Sequence, residues 1–132
     1  MKTNKAGFTL IELMVVAIIV AILAAVAIPL MSANKKRAYA TEAQAGCGAA
    51  KTAIRVMEAQ GAAFPAAVGV VTNINGIGPA DLDGAYFKTA DYTFAGTGYS
   101  NFTITATGAT GDVNGLTVVL DQSGSFTGSL LQ

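Results

Sequence analysis

The chain has 132 residues, eight cationic and eight anionic side chains, no histidine, no tryptophan and one cysteine, Cys47. That length fits one domain with an added segment rather than two domains. A lone cysteine excludes an intramolecular disulfide framework and a cysteine zinc site, and without histidine no nucleophile–base pair or metal cluster stands out to support an enzyme.

The charge sums to zero but is unevenly placed. Residues 32–60 carry Lys35, Lys36, Arg37, Lys51 and Arg55 against Glu42 and Glu58, whereas residues 61–132 carry Lys88 against five aspartates. The C-terminal part is therefore mildly acidic, which argues against a nucleic-acid surface there.

Met1 to Ala6 is a short cationic leader with Lys2 and Lys5. Gly7 to Pro29 then reads GFTLIELMVVAIIVAILAAVAIP, and the run stays apolar through Met31 except at Thr9, Glu12 and Pro29. Phe8 to Met31 as a helix is about 36 Å long, enough to cross a hydrocarbon core of about 30 Å. A carboxylate near the start of such a helix is costly, so Glu12 marks a functional position.

Gly7-Phe8-Thr9-Leu10-Ile11-Glu12 resembles the processing and assembly motif of type IV pilins and the related type II secretion pseudopilins. The resemblance is specific over Ala6 to Pro29. It implies that a prepilin peptidase cuts after Gly7, that the new N-terminal residue Phe8 is N-methylated, and that Glu12 and Phe8 serve assembly. Pro29 falls where many of these proteins carry a proline, and it marks the expected helix kink. The implied organisation is a leader over 1–7, a transmembrane and assembly half-helix over 8–31, and a globular head over 32–132. The implied partners are further copies of the chain in a helical homopolymer, the peptidase, and the inner-membrane assembly machinery. The implied location is the inner membrane, N-terminus cytoplasmic, before assembly and the cell surface after it. That orientation comes from the resemblance, because cations on both sides of the span leave the positive-inside count undecided. No cofactor, metal or nucleic acid is expected.

A different reading takes residues 1–27 as an ordinary secretory signal ending Ala25-Val26-Ala27, with a mature start at Ile28. The apolar run is longer than the usual 7–15 residues, and Glu12 has no use in a signal.

Past Pro29, Tyr39, Ala43, Cys47, Ala50, Ile54 and Met57 recur at helical spacing, and Gly61 followed by Pro65 marks a stop. This predicts one bent helix from Phe8 to about Gln60. Its weak points are Pro29, Gly46 and Gly48, and Thr41 with Gln44 offers a capping box that would allow a break. Cys47 on the inward face reads as a small buried hydrophobe.

Gly61 to Lys88 reads as a long loop with one short strand at Val68 to Thr72. Asp81-Leu82-Asp83-Gly84 has calcium-loop spacing but lacks the later ligands, so it reads as a solvated turn. From Asp91 the period becomes two. Tyr92 and Phe94, then Phe102, Ile104 and Ala106, then Leu116, Val118 and Leu120, then Phe126 are expected to face inward, with turns at Gly96–Gly98, Gly108–Gly115 and Gln122–Gly124. Asn101-Phe102-Thr103 matches a glycosylation sequon, but its place in a strand makes this a chance match.

The expected fold is α+β: a long N-terminal helix, membrane half plus amphipathic half, packed on a three- to four-stranded antiparallel sheet. The expected function is a type IV pilus subunit. A type II secretion pseudopilin is the alternative within the family, and a secreted or membrane-tethered binding module that never polymerises is the alternative outside it.

Overall fold

The computed structural model describes residues 7–65 and 69–132. They form helix α1 (Leu10–Ala59) and strands β1 (Gly69–Val70), β2 (Tyr92–Gly98), β3 (Asn101–Thr107), β4 (Thr117–Asp121) and β5 (Phe126–Thr127). Two compact units divide the chain, one ending at Lys35 and one running from Lys36 to Gln132.

In the first unit every described residue from Gly7 to Lys35 is exposed, the apolar ones included. Pro29 lies inside α1. It offers no amide to the carbonyl of Ala25, which leaves that acceptor without its usual helical donor.

The second unit has the expected α+β architecture. The α1 stripe Tyr39, Ala43, Cys47, Ala50, Ile54 and Met57 is buried, as its spacing predicts, and Ala40 joins it. The helix continues through Thr41, whose hydroxyl donates to the Arg37 carbonyl at 2.9 Å instead of opening a new cap. It ends as the glycine signal requires. Gly61 has a φ of 66°, its amide donates to the Glu58 carbonyl, and the Ala62 amide donates to the Met57 carbonyl. This pair of bonds is a Schellman closure, which satisfies carbonyls the helix would otherwise leave open.

The sheet has five strands, not three or four, in the order β1-β2-β3-β4-β5, all antiparallel. The additional strands are the two edges, each two residues long, too short for an alternating pattern to mark them. Tyr92, Phe94, Phe102, Ile104, Ala106, Val118 and Leu120 share one buried cluster with the helix stripe.

Four expectations need correction. The Val68–Thr72 strand is only Gly69–Val70, followed by a 3-10 turn at Val71–Asn73; Val68 lies outside the described residues. Gly96–Gly98 is not the turn. It belongs to β2, with a register irregularity there, and the chain reverses at Tyr99–Ser100. Leu116 precedes β4 and is only partly buried. Phe126 is opposite Leu120 but 36 % exposed, because it stands on an edge strand rather than under the helix.

Gly46 is a packing notch rather than merely a weak point. A Cβ there would run into the ring of Tyr92, which is buried against the helix. A Cβ on Gly48 would meet nothing within 4 Å.

The loop between α1 and β2 is held by carboxylates. Glu42 accepts the amides of Ala85, Tyr86 and Phe87 at 3.1, 2.8 and 2.7 Å. A side chain on Gly84 would collide with that carboxylate. Arg55 bridges helix and sheet. It pairs with Glu58 at 2.7 Å, donates to the carbonyls of Tyr99 and Gln122 at 3.3 Å each, and lies 5.5 Å from the centre of the Phe102 ring.

Candidate assembly motif at the helix start

α1 begins at Leu10, so Thr9 is its N-cap and Glu12 its third helical residue. Their side chains complete a reciprocal capping box. The Glu12 carboxylate accepts the Thr9 amide at 2.9 Å and the Thr9 hydroxyl at 2.7 Å, while the Thr9 hydroxyl accepts the Glu12 amide at 3.3 Å. Two helix-end amides that have no intrahelical partner are thereby satisfied. The negative charge also sits at the positive end of the helix dipole.

This arrangement assigns Thr9 a role that the sequence reading missed. The signal was present: Thr-x-x-Glu ahead of an apolar run is a helix-start signature. In this chain the Phe8 nitrogen is a peptide amide, and the Glu12 carboxylate rests with Thr9. Phe8 is 82 % exposed, and a Cβ on Gly7 would meet nothing within 4 Å, so both residues of the expected cleavage bond stand clear of the described structure.

From Leu10 to Met31 the helix is apolar around its whole circumference, and its large apolar side chains are between 51 % and 76 % exposed. It is long and apolar enough to cross a membrane. A helix apolar on all sides needs an apolar surrounding, either lipid or other helices.

The head contributes no comparable chemistry among the described residues. Asp81 accepts the Gly78 amide at 2.7 Å, and Asp83 accepts the amide and hydroxyl of Thr89 at 2.8 and 3.0 Å. The calcium-like spacing is thus turn closure. The Thr89 amide and hydroxyl hold Asp83 below the usual carboxylate range. Cys47 is fully buried, and burial pushes its thiol up to about 12, which removes thiolate character at neutral pH.

An exposed, membrane-length apolar helix opening on a capped glutamate and carrying an α+β head defines a prepilin-type subunit. The comparisons agree. Residues 2–28 match the family model for the prokaryotic N-terminal methylation motif. The chain is 33 % identical to the fimbrial protein EcpC of Eikenella corrodens, over 96 % of this chain and 82 % of that protein. No solved structure gives a significant match. The chain belongs to the type IV pilin family.

Proposed function

We propose that this chain is the structural subunit of a type IV pilus and has no catalytic activity of its own. The leader is cut after Gly7 by the prepilin peptidase, and Phe8 is methylated on its new amine. The subunit waits in the inner membrane with its N-terminus on the cytoplasmic side. The inner-membrane assembly machinery then moves it into a helical homopolymer at the cell surface.

The observation that carries this reading is the helix from Leu10 to Met31, exposed and apolar on all sides, with Glu12 as its one charge. In the fibre, packing of many such helices replaces lipid with protein, and van der Waals contact holds the bundle. Cleavage converts the Phe8 nitrogen into a basic amine, with a free α-amine titrating near about 8. That amine, on the same or a neighbouring subunit, becomes an ionic partner for Glu12. Pro29 is the place where the helix bends or unwinds as neighbours take up the freed carbonyl.

Electron microscopy of sheared surface material, combined with intact mass, tests the proposal. Abundant fibres of a chain starting at methylated Phe8 are expected. A mature start at Ile28 would establish the secretory-signal reading, and a membrane-held chain that forms no surface fibre would favour a pseudopilin or a tethered binding module.

A further inference from the structure

We propose that Lys36 and Arg37, with the groove beside Arg37, bind the headgroup of an anionic phospholipid in the leaflet from which the head emerges. The inference rests on the membrane stage of the function proposed above.

Distance along the helix is the first support. Lys36 and Arg37 follow Met31, the last residue of the apolar run, by about 8–9 Å at 1.5 Å per residue. The polar layer on each side of a bilayer core is about 5–8 Å deep. Long cationic side chains at this level reach back to phosphate oxygens while their stems stay against apolar surface.

Charge is the second support. Residues 13–41 hold no aspartate or glutamate, while Lys36 and Arg37 are consecutive and exposed. Consecutive helical positions are about 100° apart. The two therefore point to different sides of the helix rather than along one face. That distribution suits a surface surrounding the helix, such as a headgroup layer, better than a protein docking from one side.

The groove is the third support, and it lies within the unit that starts at Lys36. It has a volume of about 450 Å³, and its walls include Arg37, Thr41, Gln44, Leu130, Leu131 and Gln132. One cation, a hydroxyl, two amides and two leucines match the parts of a glycerophosphate headgroup: an anion, polar esters or hydroxyls, and an apolar edge. Two carboxylates meet this part of the helix and both are engaged: Glu42 accepts the amides of Ala85, Tyr86 and Phe87, and Asp112 accepts the Tyr39 hydroxyl at 3.1 Å.

The test uses the full-length chain in a non-ionic detergent, titrated with phosphatidylglycerol or phosphatidylcholine and followed by native mass spectrometry. Two surface cations predict a preference for phosphatidylglycerol of about tenfold or more at low salt, falling as salt rises. Lys36→Gln/Arg37→Gln should abolish the preference, Lys36→Arg/Arg37→Lys should keep it, and Lys51→Gln should leave it intact. Circular dichroism confirms that each variant retains its helix. Equal retention of the two lipids by the natural chain overturns the proposal. So does a preference that survives Lys36→Gln/Arg37→Gln or disappears equally with Lys51→Gln, and so does duplex DNA bound through these residues without lipid discrimination. A chain that a carbonate wash strips from membranes fails the reading of a membrane-stored subunit instead, and the two failures are read separately.

Discussion

Leu10–Met31 and Tyr39–Met57 belong to one helix, yet they solve opposite problems. The second stretch buries one stripe against its own sheet, and its other positions are mostly exposed or half-buried. The first is apolar on all sides, and its described large side chains are exposed. The difference teaches where each half finds its stability. Tyr39–Met57 is stabilised by intramolecular packing and answers to changes in the head. Leu10–Met31 is stabilised by its surroundings, so its substitutions should register in location and assembly rather than in unfolding.

The strongest break of this comparison lies at Glu12. On the function proposed above, Glu12→Ala should leave cleavage after Gly7 and membrane retention intact, but remove the partner proposed for the Phe8 amine. Fibre yield should fall steeply. Glu12→Asp should be partly active. Quantifying sheared fibres against membrane-held mature protein checks this, and normal yield from Glu12→Ala would return Glu12 to a simple helix-capping role.

Gly46→Ala should act on the other half alone. A Cβ at that position meets the buried Tyr92 ring, and overpacking of this kind costs about 1–3 kcal/mol. Thermal unfolding of a fragment beginning near Ser32 measures the loss. The same fragment sharpens the comparison itself, since it should be soluble, monomeric and cooperative once the lipid-facing stretch is gone.

Glu42→Ala leaves three loop amides without their acceptor and should destabilise the fragment by about 1.5 kcal/mol, with water replacing part of what is lost. Faster hydrogen exchange at Ala85–Phe87, ahead of exchange in β2–β4, would be the local signature. Gly48→Ala should instead raise stability by about 1 kcal/mol, because the site is open and glycine is the weaker helix former.

The smallest effect is with acid. Asp121 is held below the usual carboxylate range, chiefly by the hydroxyl of Ser123 and the amide of Ser125, and Asp83 is held down by Thr89. A depressed folded pKa contributes stability above the unfolded value of 3.8, lost as pH falls through the folded one. The melting temperature of the fragment should therefore drop as pH falls below about 4. Asp121→Asn should flatten that drop slightly.

Much of this was legible in the sequence because it is periodic. The stripe from Tyr39 to Met57 and the alternation from Tyr92 to Leu120 each repeat often enough to announce a helix and a sheet. What escaped was contact between distant residues. Nothing near Glu42 says that its partners lie 43 to 45 positions away, and nothing near Gly46 says that Tyr92 fills the space above it. Thr9 is different. Its signature was local, but the family motif drew attention to Glu12 as a charge and away from Glu12 as a cap. Phe126 shows the limit of alternation, since register fixes the face of a strand but not whether anything covers it.

The two edge strands have a consequence for crowding. Exposed strand edges are templates on which neighbouring chains can add strands without limit. Here β1 and β5 offer only Gly69–Val70 and Phe126–Thr127, and the chain leaves the ladder on each side through a 3-10 turn or a glycine with positive φ. At these two outermost strands, heads held at high density therefore present little backbone on which to zip together. In the fibre proposed above, the spacing of the array would then be set by Leu10–Met31 rather than by strand addition at the edges of the sheet.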